Sequence, residues 1–302
     1  MSSILSEKHF HNEAAAYQFV EGLIWPNGPT CPHCGGVERI SKMEGKSTRM
    51  GVYKCYQCRK PFTVKVGTIF ESSHIPMRFW LQAIHLISSS KKGISANQLH
   101  RTLGITLKSA WFMAHRIREA MKSNSIEPLG GAGKVVEADE TFIGNKIGFT
   151  KGPAWGHKMK VLSLVERGGK VRSSRLANLS RIGIEQTIRE NVHIDSRLMT
   201  DSASHYKKPM AGFVSHETVD HSVNEYVRGE VNTNTLEGYF SVFKRGMKGV
   251  YQHCREKHLH RYLAEFDFRY NNRVALGVND EGRAANLVQG VVGKRLTYRT
   301  IN

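Results

Sequence analysis

Apolar positions along this chain recur first at helical spacing, then in short strand-like runs, then at helical spacing again. Residues 10–24, "FHNEAAAYQFVEGLI", predict a short helix that stops at "WPNG". Residues 76–121 repeat the helical period through Phe79, Trp80, Ile84 and Ile87, then Leu99 and Leu103. The break at "LGIT", with Gly104, divides that stretch into two helical segments. Trp111 and Phe112 read as core. Next comes "KSNSIEPLGGAGK", aperiodic and rich in Gly, Ser and Pro, which predicts a linker.

Strand-like runs follow. "VVEADETFIG" (Val135–Gly144) is the first, and "KVLSLVERGGKVRSSRL" reads as two strands around the turn "ERGGK". "RIGIEQTIREN" predicts a helix, and "SRLMTDSASHY" a short strand ending at Asp201. Two more helices carry the apolar stripes Leu236, Phe240, Phe243, Met247 and Leu259, Leu263, Phe266, Tyr270. Strands with interspersed helices predict an α/β domain with a mixed sheet.

Composition narrows the class. At 302 residues two or three domains are expected, and 40% hydrophobic with 23% charged residues reads as soluble and globular. No apolar run approaches a membrane span, and the N-terminal stretch lacks a signal-peptide pattern, so a cytoplasmic, nucleoid-associated protein with no membrane partner is expected. Forty-four Lys and Arg against 26 Asp and Glu give a formal net charge of +18. That excess lies on no single amphipathic helix, which favours nucleic acid over an anionic membrane as partner, and the helix-turn-helix read next makes that double-stranded DNA. A short helix, a Gly-containing turn and a second helix bearing Lys108, His115, Arg116 and Arg118 fit a helix-turn-helix, with Lys108, Arg116 and Arg118 as DNA contacts.

Four of the five cysteines are paired in sequence: Cys31, Cys34, Cys55 and Cys58 form C-x2-C-x20-C-x2-C. Each pair forms a knuckle, two knuckles complete a tetrahedral site, and four thiolates leave no open position, so one structural Zn2+ is expected. The intervening residues leave room for a β-hairpin. His33, inside the first knuckle, is expected to be exposed, and Cys254 an ordinary semi-buried thiol.

The acids stand out in so basic a chain. "VVEADETFIG" holds Glu137, Asp139 and Glu140 within four positions of a strand, where carboxylates are depleted and costly to bury. Alternation sets Glu137 and Asp139 on one face and Glu140 on the other, leaving 137 and 139 level. Asp201 ends a later strand. Glu237 shares a helix edge with Ser241 and Lys244. Two Asp and one Glu from distant segments are a sufficient set for two Mg2+ or Mn2+ ions acting on a phosphodiester.

The chain resembles the zinc-ribbon-bearing DDE insertion-sequence transposases, bacterial relatives of the Merlin superfamily. The resemblance runs nearly end to end, through "WPNGPTCPHCGG", "YKCYQCRKPFTVKVGTIFESSHIPMRFWLQAI", "VEADETFIGNK", "LMTDSASHY" and "NTNTLEGYFSVFKRGMKGVYQHCREKHLHRYLAEFDFRYNNR". It implies an RNase H-like catalytic fold preceded by a zinc ribbon and a helix-turn-helix. By position it assigns the three metal-holding acids to Asp139, Asp201 and Glu237, so the match decides for 139 over 137. It makes Lys244 the family's lysine after the third acid, with Arg245 beside it on the DNA.

The expected domains are 1–75 (leading helix and zinc ribbon), 76–122 (helix-turn-helix), 123–134 (linker) and 135–302 (catalytic). The implied function is a transposase that binds terminal inverted repeats, cleaves strands and transfers them, working as a homo-oligomer of two or more on DNA. The competing expectation is a domesticated DNA-binding regulator that keeps the fold without the chemistry. A weaker one is a zinc-ribbon nuclease of repair or RNA processing. Glu140 is expected to cap or face solvent, with metal binding as the lesser alternative. His205, His221, Arg269 and Arg273 are each weighed as contacts to DNA or metal against structural or solvated groups.

Overall fold

Asn12 opens the first helix, α1 (Glu13–Ile24), by accepting the Ala15 amide at 2.9 Å. The computed structural model describes residues 3–146, 148, 153–203, 206, 212–220 and 227–297, without the side chains of 154 and 155. After α1 come three short strands, β1 (Ile40–Lys42), β2 (Tyr53–Cys55) and β3 (Pro61–Phe62), in one antiparallel sheet of order β1-β2-β3. The hairpin expected between the cysteine pairs is the β1–β2 pairing, with Ile40 opposite Cys55.

The long helical stretch is three helices rather than two: α2 (Met77–Ser89), α3 (Ala96–Leu103) and α4 (Leu107–Ala120). The predicted break at Gly104 is there, at φ 63°. The additional break comes at "SKKGIS", where Ser90 turns extended, Gly93 takes φ 96° and Ser95 caps α3 through the Gln98 amide. Local polarity ends α2 there, although the apolar period resumes beyond it.

A second sheet follows, built from β4 (Val135–Asn145), β5 (Lys158–Glu166), β6 (Val171–Leu176), β7 (Arg197–Asp201) and β8 (Ser215–Val219). One turn of helix, α5 (Ala154–His157), precedes β5, and α6 (Arg181–Asn191) joins β6 to β7. Spatial order is β6-β5-β4-β7-β8, with β6, β5 and β4 antiparallel and β4, β7 and β8 parallel. The expected mixed sheet is therefore present. Strand β5 is apolar on both sides because both are covered. Val161 and Val165 face the helices α7 (Asn234–Gly246) and α8 (Leu259–Asn271), and Leu162 and Leu164 face α6. The stripes Leu236, Phe240, Phe243, Met247 and Leu259, Leu263, Phe266 are buried in that core, with Tyr270 packed against it.

The last helix, α9 (Asp280–Gln289), does not join the sheet. The chain divides into two compact units, one holding the segments up to Ser90, Ile94–Met121 and from Val278 onward, the other Lys91–Gly93 and Lys122–Gly277. A catalytic segment running from 135 to 302 therefore does not match the compact unit, because Leu287 and Val288 are buried with the N-terminal helices, where the Arg283 guanidinium reaches the Ser88 carbonyl at 3.2 Å. The expected linker is built in as well. Leu129 is buried in the sheet's core and exchanges backbone hydrogen bonds of 2.8 Å with Asn191 and His193.

Candidate active site and zinc centre

Pairing between β4 and β7 ends with Glu137 opposite Met199. Continuing that register by two residues sets Asp139 level with Asp201, the last residue of β7. One carboxylate oxygen from each of Asp139, Glu140 and Asp201 lies within 4.8 Å of the others. Hydrogen bonds orient the set. Asp139 Oδ1 accepts the Glu140 amide at 2.7 Å, Asp201 Oδ1 accepts the Ala203 amide at 3.0 Å, and the Tyr206 hydroxyl donates to Glu140 Oε2 at 2.8 Å. Burial, with the charges of Glu140 and Asp201 behind it, raises the Asp139 carboxyl to about 8. The Lys244 ammonium acts in the opposite sense, so it stands within electrostatic reach of Asp139. Carboxylates gathered so closely are a donor set for a hard divalent cation.

Among the described residues the third member of this group is Glu140, not Glu237. Glu237 is exposed in the first turn of α7. Glu140, expected first to cap or face solvent, stands with Asp139 and Asp201. It does lie on the other face from Asp139, but where pairing with β7 stops, its longer side chain reaches the group and Tyr206 holds it. The adjacency of two acids within one strand was the available signal. Glu137, the rival of Asp139, stands outside the acid group. Glu137 is 0% exposed, and its oxygens accept from Arg167 Nε at 2.6 Å, Thr235 Oγ1 at 2.9 Å and the Leu236 amide at 2.9 Å.

The four cysteines form the other cluster. Cys31 and Cys58 sulfurs lie 3.6 Å apart, and those of Cys34 and Cys55 3.7 Å. A tetrahedral site with bonds of about 2.3 Å has sulfur–sulfur edges of roughly 3.8 Å, whereas a disulfide would need about 2.05 Å. These distances fit Zn2+. The Cys58 amide leads the influences that pull the Cys55 thiol down to about 7, while the Cys34 thiol is pushed up to about 12, as in a cluster whose thiols share protons. His33 is exposed and Cys254 half-buried, as expected.

The cationic candidates divide. Lys108 is exposed in the first turn of α4, Arg245 is exposed on α7, and Lys244 is half-buried beside it. Arg116 and Arg118 are 7% and 2% exposed, so two of the three α4 cations expected to meet DNA lie in the interior. Arg116 donates to the carbonyls of Ile69 at 2.8 Å, Glu71 at 2.9 Å and Leu296 at 3.2 Å. Trp111, read as core, is 39% exposed. Arg269 is buried in an ion pair with Glu265, and Arg273 donates to the Gly169 carbonyl at 2.9 Å. His205 and His221 lie outside the described residues.

A mixed α/β domain carrying grouped acids, in a chain that also holds a four-cysteine ribbon, defines a zinc-ribbon protein with a carboxylate-based site. Comparison with known proteins makes this specific. The family model described as "ISXO2-like transposase domain" matches residues 128–271, and that described as "Transposase zinc-ribbon domain" matches residues 11–61. The chain belongs to the zinc-ribbon insertion-sequence transposases. It is 25% identical over 284 residues to an uncharacterised protein in transposable element ISH50 of Halobacterium salinarum (strain ATCC 700922 / JCM 11081 / NRC-1), covering 87% of this chain and 92% of that one. A chain in the structure of the simian T-cell lymphotropic virus intasome bound to the PP2A regulatory subunit B56 gamma is 11% identical, with a TM-score of 0.30. That match takes in 56% of this chain and 63% of the other, under two thirds of its length, and at this TM-score it carries no argument. No helix among the described residues is long and apolar enough to cross a membrane.

Proposed function

We propose that the chain is a DDE transposase that binds the terminal inverted repeats of its element, cleaves DNA strands there and joins the freed 3′ ends to target DNA. The observation that carries the reading is the grouping of Asp139 and Asp201, 62 positions apart in sequence, level with each other on adjacent parallel strands. The strand order β6-β5-β4-β7-β8, with the first acid on the central strand, supports an RNase H-like catalytic fold.

Asp139 and Asp201 hold the divalent cations, with Glu237 as the third acid and Glu140 as the neighbour already within reach. Bound Mg2+ or Mn2+ supplies Lewis acidity at the phosphodiester and favours the deprotonated form of the attacking hydroxyl. Lys244 places its ammonium between the acids and the DNA backbone, and Arg245 extends that contact to the next phosphate. Lys108 and the exposed face of α4 belong to the helix-turn-helix that reads the element end, beside the zinc ribbon. Two ends must be brought together for transfer, which supports a dimer or larger assembly on DNA.

The test uses DNA carrying the element end, in Mg2+ and in Mn2+. Asp139→Asn and Asp201→Asn are each expected to retain end binding in a mobility-shift assay and to lose strand cleavage and transfer by a thousandfold or more. Cleavage at wild-type rates in either variant rejects the metal assignment. A wild-type protein that binds ends and never cuts them, under any divalent cation, favours the domesticated regulator.

A further inference from the structure

We propose that Glu137 is a positioning residue whose buried carboxylate fixes the start of α7, and with it Glu237, against the strand that carries Asp139. The inference rests on the reading of Glu237 as the third metal-holding acid.

A wholly buried carboxylate persists only where its acceptors are filled. Glu137 is filled from two directions. Thr235 Oγ1 and the Leu236 amide, in the first turn of α7, donate to Oε1 and Oε2 respectively, each at 2.9 Å. Arg167, in the turn between β5 and β6, donates its Nε to Oε1 at 2.6 Å. The other guanidinium nitrogens of Arg167 reach the carbonyls of Glu230 and Asn232, both at 2.8 Å. Glu137 therefore holds the first turn directly, and through Arg167 it holds the segment leading into it.

The helix has a use for this acceptor. Thr233, at its N-cap position, makes no side-chain capping hydrogen bond, and the first amides of any helix lack intrahelical partners. Glu137 supplies the missing acceptor from a strand about 100 positions earlier, where a carboxylate is also favoured by the helix dipole. An apolar residue at 137 would pack the helix without fixing its rotation. Two oxygens bonded to consecutive residues set both its rotation and its height. Glu237 is the next residue after Leu236, and Asp139 lies two residues, about 7 Å, along the strand from Glu137. A slip at this latch thus passes directly into the separation of those two acids.

The test reads position rather than turnover. Fe2+ in place of Mg2+, with ascorbate and hydrogen peroxide, generates hydroxyl radicals that cut the backbone beside the bound ion, and the fragments are mapped by mass spectrometry. The wild-type chain is expected to be cut near 139, 201 and 237. Glu137→Gln and the milder Thr235→Val are expected to keep the cuts near 139 and 201 while the cut near 237 falls at least fivefold. If thermal unfolding shows Glu137→Gln to be misfolded, Thr235→Val alone decides. A 237 cut of wild-type strength in the folded variants overturns the proposal. A wild-type chain cut near 139 and 201 but not near 237 rejects Glu237 as a ligand, and the positioning role falls with it.

Discussion

The Tyr206 hydroxyl donates to Glu140 Oε2 across 2.8 Å and ties a buried ring to the acid group of Asp139, Glu140 and Asp201. Tyr206→Phe keeps the ring and removes only that donor. A hydrogen bond to a carboxylate contributes about 1.5–3 kcal/mol at most, and an acid open to water recovers part of it, so we expect a loss of about 1 kcal/mol in unfolding free energy. Residues that orient a ligand from outside the coordination sphere typically change metal affinity by about tenfold or more. Mn2+ affinity by calorimetry is therefore expected to fall about tenfold in Tyr206→Phe. Unchanged affinity would mean that Glu140 takes no part in holding the ion.

Asp139 gives the site a pH signature. Its carboxyl is raised to about 8 by burial first and by Glu140 and Asp201 next. A group raised above its unfolded value of 3.8 contributes stability that is present below that value and is lost as pH rises through the folded one. The metal-free chain should become less stable between about pH 4 and pH 8 on this account. A divalent cation must displace the proton, so binding should release up to one proton per chain at pH 7 and tighten as pH rises toward 8. Calorimetry in buffers of different ionisation enthalpy measures that release. Asp139→Asn should abolish it, and equal proton release in that variant would contradict the assignment.

Much of this site was legible in the chain, for identifiable reasons. The cysteine pairs announce themselves because a knuckle needs fixed local spacing. The β5–β6 turn, the end of β7 at Asp201 and the stripe on α7 follow from local periodicity. Glu137 and Asp139 were inseparable by the same logic, because what distinguishes them is a helix start about 100 positions away. Likewise Arg116 lies on a helix flank where an exposed and a buried guanidinium read alike. Only the carbonyls of Ile69, Glu71 and Leu296, supplied from distant segments, make it internal.

The zinc ribbon should depend on its ion. Cys31 and Cys55 are buried with Phe62, and Trp25 packs against them with its ring 5.8 Å from that of Phe62. Structural zinc contributes on the order of 10 kcal/mol to such a small module, far more than this thin core supplies. Cys58→Ser, or a strong chelator, should release one Zn2+ per chain and raise the number of thiols titrated by a disulfide reagent. Trp25→Phe would identify the ribbon's share of the accompanying fluorescence change. Four thiols fully reactive before chelation would rule out a filled four-cysteine site.

Lys108 and Arg116 are both cations on α4, and their substitutions should fail in opposite ways. Lys108 is exposed, so Lys108→Ala should leave the unfolding midpoint within a degree or two. If it meets a phosphate, DNA affinity should fall uniformly across sequences, and the slope of log affinity against log salt should shrink by about 1. Arg116→Ala removes a buried guanidinium from three carbonyls and leaves a cavity. By the usual magnitudes for buried, charge-assisted hydrogen bonds it should cost about 3 kcal/mol or more. Once that loss is offset by working at low temperature, Arg116→Ala should bind DNA with the wild-type salt slope. Paired measurements of unfolding and of salt-dependent binding separate the two roles. A reduced salt slope in folded Arg116→Ala would return that residue to the DNA-binding surface.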